Sequence, residues 1–198
     1  MEYISRLISS MGYRIYTIYP LSRLGWFFLF GLAGWTLVSA IVTHAGKVKL
    51  WRRINSGIAI LFMEVLLYLT VVSRGRTSYG GMILRPFFSF YLAREENREY
   101  YREMLMNVFL FFPLGLTLPF GLSARKHPVL ISLGIGILLS VCIETLQYVF
   151  SLGWAETDDV IMNALGVLIG SAAYGMASAL EAWRQTRNNT GQDETHGE

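Results

Sequence analysis

The sequence predicts an all-α membrane protein: about five transmembrane helices in one bundle, preceded by a short interfacial helix. Three observations carry this expectation. The chain has 198 residues, of which 53% are hydrophobic and only 16% charged, where a soluble domain would carry about a quarter charged residues. Its mean hydropathy is +0.40. The apolar residues also stand in blocks long enough to cross a bilayer rather than in alternating or amphipathic patterns.

Taken in order, residues 1–24 place Ile4, Leu7, Ile8, Met11, Ile15 and Ile18 at near-helical spacing, which suits a helix lying in the interface and ending near Pro20. A first span is expected over 26–44, behind three basic residues, and is too long for the apolar region of a signal peptide. Lys47, Lys49, Arg52 and Arg53 form a basic link, and a second span over 55–72 carries Glu64. A longer connection, 73–103, opens on Arg74-Gly75-Arg76 and passes through Arg85-Pro86-Phe87-Phe88. The third span, 104–122, contains Pro113 and Pro119, so a kink or wide turn is expected there. Arg125-Lys126-His127-Pro128 turns the chain into a fourth span over 129–151. The acidic link Glu156-Thr157-Asp158-Asp159 leads into a fifth, 160–183, and the polar tail 184–198 is expected to be disordered. The organisation is therefore an interfacial segment at 1–24, a helix and basic link at 25–54, a four-helix core at 55–183 and the tail.

Basic residues of short links favour the cytoplasmic side. The links at 45–54 and 123–128 are basic and the one at 152–159 has no Lys or Arg. That places the N-terminus outside and the C-terminus inside, with the six basic residues of 73–103 as the contrary signal. The 17 Lys and Arg lie between apolar blocks, where they set orientation and meet anionic headgroups, so no nucleic-acid partner is expected. Cys142 is the single cysteine; it allows no intrachain disulfide and reads as a small buried packing residue.

The polar residues inside the spans gather at one membrane face. Asn107 opens the third span, Glu144 and Gln147 fall in the last turns of the fourth, and Asn163 is in the first turn of the fifth, just after Asp158 and Asp159. At ~1.5 Å per residue all six lie within roughly 10–12 Å of that face. Glu144 and Gln147 share a helix face, as do Asp159 and Asn163. Each has a structural alternative: Asp158 as a helix cap, and Asn107, Gln147 and Asn163 as interhelical hydrogen-bond partners. Glu144, about two turns below the interface, is costly unless paired. Gly166 and Gly170 form a small-residue stripe suited to close helix packing within the chain, or to a homodimer. The three histidines are scattered, and no phosphate-binding loop, nucleophile elbow or dinucleotide fingerprint is present. No metal and no cofactor are expected, and no catalytic signature is displayed.

The run Arg102–Gly115, with Asn107 and the Pro113-Leu114-Gly115 element, resembles the VanZ-like family of bacterial membrane proteins. So do Glu144-Thr145-Leu146-Gln147, the stretch Glu156–Gly166, and Arg85-Pro86-Phe87 upstream. The resemblance covers about residues 55–175, which makes the first span an N-terminal addition. Trp154 stands where many members place an Arg. The resemblance implies a bacterial cytoplasmic-membrane protein; some relatives lower susceptibility to teicoplanin and related lipid-bearing glycopeptides. The expected function is a polar outer-leaflet cavity engaging a lipid-linked or amphiphilic envelope molecule. Asn107, Glu144, Gln147, Asp158, Asp159 and Asn163 would line it, with Arg85 available for a phosphate or carboxylate. Two alternatives stand beside it: an intramembrane enzyme using paired carboxylates on a lipid headgroup, and a helix-packing subunit of a membrane complex.

Overall fold

The computed structural model describes residues 21–77, 80–95 and 99–195; the expected interfacial segment lies, up to residue 20, outside them. The helices are α1 (Leu21–His44), α2 (Val48–Leu67, prolonged by a π-helical turn, Tyr68–Val72), α3 (Phe88–Glu95), α4 (Glu99–Gly121), α5 (Pro128–Val149) and α6 (Thr157–Thr195). Two short strands, β1 (Gly81–Ile83) and β2 (Trp154–Glu156), complete it. Among the described residues, the segments 48–72, 100–121, 128–149 and 157–188 are long and apolar enough to cross a membrane, and 32–44 is a shorter apolar helical stretch. The chain is an all-α membrane bundle.

Helix α4 is the most buried of these spans and packs against α6, α2, α5 and α3. Its contact with α6 is a backbone-to-backbone approach. A Cβ at Gly166 would run into the Val108 carbonyl, one at Gly170 into the Phe112 carbonyl, and one at Gly115 into the Val167 carbonyl. Small residues are what this crossing demands. The Gly166/Gly170 stripe is thereby covered within the chain, and a homodimer through it would have to displace α4.

No wide turn interrupts α4: the helix continues through Pro113 and Pro119. Pro119 brings no N–H to the Gly115 carbonyl. Ser171 on α6 places its hydroxyl 3.5 Å from that oxygen while donating to the Val167 carbonyl at 2.8 Å, and Thr117 donates to the Pro113 carbonyl. The Ser171 hydroxyl thus approaches the one carbonyl that Pro119 leaves without its N–H.

Three further expectations shift. The 45–54 link shrinks to a turn at 45–47, because α2 already starts at Val48 and takes Arg52 and Arg53 into its first turns. Helix α6 continues to Thr195, through residues expected to be disordered from 184 onward. Cys142 is exposed rather than buried, since α5 turns Ser132, Gly136, Ser140, Ile143, Glu144 and Gln147 inward and Cys142 lies off that face.

The long connection after α2 is not an open loop. Gly81, Met82 and Ile83 pair in parallel with Trp154, Ala155 and Glu156, and Thr77 N–H donates to the Ser151 carbonyl at 2.8 Å. Gly153, at φ +156°, takes a conformation that favours glycine, and Gly80 packs against its carbonyl. These segments form a platform over the membrane face where α2 and α5 end and α4 and α6 begin.

Candidate functional site: a carboxylate and amide cluster beneath a strand platform

Beneath that platform the polar residues separate by what each one touches. Asp159, half-buried in the first turn of α6, accepts a 2.6 Å hydrogen bond at Oδ1 from the Asn107 amide on α4. Glu144, buried on α5, accepts the Glu156 backbone N–H at 2.9 Å through Oε2. The carboxylates of Glu144, Glu156 and Glu103 all act electrostatically on Asp159. The positive charge of Arg74 acts on both Glu144 and Asp159. Asn107, Glu144 and Asp159 thus come together as expected, with Glu156 and Arg74 added.

Glu156 lies at the end of β2, outside the spans. Burial pushes its carboxyl above the usual carboxylate value of 4.5, opposed by the Ser89 hydroxyl and reinforced by the charges of Glu103 and Asp158. The Ser89 hydroxyl donates to Oε2 at 3.2 Å.

Asp158 is a cap, for a helix other than its own. It is buried, and its carboxylate accepts the Phe87 N–H at 2.5 Å and the Ser89 N–H at 2.7 Å, closing the start of α3. Phe87 sits at φ +63°, a conformation costly for an aromatic residue, and this two-point bond holds it there.

Gln147 and Asn163 act as interhelical ties. The Gln147 amide donates at 3.0 Å to the Thr70 carbonyl in the π-helical turn, and the Asn163 amide donates at 2.8 Å to the Ser140 hydroxyl. Each leaves its side-chain oxygen buried without a partner. Both belong to the same end of the bundle, one turn from Glu144 and Asp159 respectively.

Arg85 is exposed, with its guanidinium 5.8 Å from the centre of the Phe88 ring, and no contact ties it to the carboxylates. The cation near them is Arg74, whose Nη1 lies 3.4 Å from the position a Cβ would take at Gly153. It supplies a guanidinium beside the acidic link, where residue 154 is a Trp. Sequence reasoning passed over Arg74, yet the signal was present: it directly follows the second span, whose end shares a face with the start of the third. Glu64 is exposed on α2, away from the cluster. Among the described residues no three His, Cys, Asp or Glu side chains converge to hold a metal ion.

The arrangement gathers acceptors under a fixed roof, the carboxylates of Asp159, Glu144 and Glu156, with the charge of Arg74 acting on two of them. The chain is 32% identical over 78 residues to Protein VanZ of Enterococcus faecium, a match covering 39% of this chain and 47% of that protein, so the chain spans about half the length of the curated relative it matches. No solved structure matches it. The VanZ/LLP1 family model matches residues 58–178, a range that takes in the whole cluster and leaves α1 outside, and this chain belongs to the VanZ/LLP1 family.

Proposed function

We propose that the protein sits in a bacterial cytoplasmic membrane and uses the cluster on its outer face to engage the polar head of an amphiphilic or lipid-linked envelope molecule. The observation that carries this reading is the Asp159–Asn107 pair. It is half-buried rather than sealed, and it lies beside Glu144 within reach of Arg74. A structural tie has no need of several carboxylates acting on one another, because their mutual repulsion costs stability. A ligand offering amine or hydroxyl donors relieves that repulsion. Sugar hydroxyls and amines of lipid-linked cell-wall intermediates, or of lipid-bearing glycopeptides, have this chemistry, and the similarity to Protein VanZ supports a link to susceptibility to such antibiotics.

The structural reading is favoured for three members: Asp158, which is spent on capping α3, and Gln147 and Asn163. Gln147 and Asn163 spend their amide donors on Thr70 and Ser140, as interhelical glue does. They support the site more than they compose it.

The test is expression of the chain in a teicoplanin-susceptible Gram-positive host, with Glu144→Gln and Asp159→Asn compared with the unaltered chain at matched membrane abundance. The proposal expects any shift in teicoplanin susceptibility or envelope phenotype to disappear in both variants. A full phenotype in both would refute it.

A further inference from the structure

A second site stands at the other end of the bundle, roughly 33 Å along α6 from Asp159 at ~1.5 Å per residue. There a cavity of about 320 Å³ opens between the end of α1, the start of α2, the end of α4 and the last membrane turns of α6. That volume is at the lower end for small-molecule sites. Its walls include the rings of Trp51, Phe120 and Tyr174, and its mouth includes Ser178, Glu181 and Gln185.

The rings are set at steep angles to one another. Trp51 and Phe120 lie 6.3 Å apart at 70°, Phe120 and Tyr174 5.2 Å apart at 75°, and Trp35 backs Trp51 at 5.6 Å. Three rings of differing orientation thus border one space. Aromatic faces attract organic cations through their quadrupoles, and such cages recognise ammonium groups. Glu181 adds a carboxylate that accepts the Gln185 amide at 3.4 Å, a long bond. The Trp51 indole N–H is buried with no acceptor. Around the same end stand Lys47, Lys49, Arg52, Arg53, Arg125 and Lys126, which suit a phosphate.

We infer that this cavity binds the ammonium group of a zwitterionic phospholipid headgroup from that leaflet, held by Trp51, Phe120, Tyr174 and Glu181. An amine-bearing phospholipid carries both charges the site asks for: an ammonium for rings and carboxylate, and a phosphate for the basic rim. A purely anionic lipid satisfies only the rim. The inference does not depend on the carboxylate cluster at the opposite face.

The test uses the full chain purified into nanodiscs of phosphatidylethanolamine and phosphatidylglycerol in equal amounts, with retained lipid counted by native mass spectrometry as bulk lipid is stripped. Phosphatidylethanolamine should be retained about tenfold over phosphatidylglycerol. Glu181→Gln, a near-isosteric change at a partly exposed site, should bring that ratio close to one. Trp51→Phe exchanges the strongest cation-binding ring for a weaker one, and should weaken retention about threefold. Asp159→Asn should leave the ratio unchanged. Equal retention of the two lipids by the unaltered chain, or an unaltered ratio in Glu181→Gln, would overturn the inference. Saturable binding of soluble phosphoethanolamine with the same Glu181 dependence would overturn the lipid as occupant.

Discussion

Replacing Asp158 by Ala tests whether the platform is fastened by one carboxylate. In the native chain that carboxylate accepts two backbone N–H groups, from Phe87 at 2.5 Å and Ser89 at 2.7 Å, at the start of α3. Hydrogen bonds to a charged group contribute about 1.5–3 kcal/mol each. Phe87 also carries the cost of its left-handed conformation, about 1–3 kcal/mol, which nothing would then offset. Water reaching the freed N–H groups recovers part of the loss, so a net local cost of about 3 kcal/mol is expected, roughly a hundredfold in the opening equilibrium. The damage should stay local, because α4 and α6 pack through Gly166, Gly170 and Gly115 independently of Asp158. Hydrogen–deuterium exchange in nanodiscs reads this directly. Amides of 87–95 should exchange about a hundredfold faster, while those of 108–118 and 163–173 stay protected. Asp158→Asn keeps one acceptor oxygen and should show an intermediate effect. Unchanged exchange over 87–95 in Asp158→Ala would refute the assignment of Asp158 as the cap.

Three other substitutions probe the rest of the bundle. Gly170→Leu sets a side chain against the Phe112 carbonyl and should cost more than the roughly 1–3 kcal/mol of ordinary overpacking, read as lost monodisperse protein on size exclusion in detergent. Glu156→Gln tests the sign of a pH dependence. Because burial raises the folded-state value above 4.5, Glu156 favours the folded platform below pH 4.5, and that contribution is lost as pH rises through the raised value. Exchange over 81–83 and 154–156 should therefore quicken with pH across that window beyond the intrinsic rate, and the Gln variant should flatten the trend. Cys142→Leu, on the outward face of α5, should change thermal stability by no more than about 0.5 kcal/mol, measured by a melting curve in detergent.

What the sequence made legible follows from what each signal depends on. Apolar block length depends only on bilayer thickness, so the last four expected spans were placed to within about two helical turns, while the first is matched only by the shorter apolar stretch 32–44 among the described residues. The convergence of Asn107, Glu144 and Asp159 followed from helix direction alone, which any up-and-down bundle shares. The π-helical turn at 68–72 and the β1–β2 pairing were not legible. Three-residue strands between sequence-distant loops carry no periodicity, and their partners are chosen by tertiary geometry. For the same reason Asp158 read as a cap of its own helix, when its partners are Phe87 and Ser89 on another. Pro113 and Pro119 misled because the compensating hydroxyl of Ser171 arrives from α6, far along the chain.

The same geometry decides which kind of ligand the cluster can prefer. Glu103, Glu144 and Glu156 all act on Asp159, and bringing a phosphate among them would add another like charge in a region of weak screening. Arg85, which sequence reasoning reserved for a phosphate or carboxylate, stands exposed over Phe88 instead. An anionic group can therefore be met only at the rim, by Arg74 or Arg85, while the depth of the site favours donors. The ties that hold the site are backbone ones: Glu144 to the Glu156 N–H, Asp158 to Phe87 and Ser89, and Gln147 to the Thr70 carbonyl. They join α2, α3, α5 and α6 at one level, so the acceptors are preorganised and little ordering remains to oppose binding. A head rich in hydroxyl or amine groups, with its phosphate or carboxylate displaced towards the rim, is therefore the ligand that the proposed function expects.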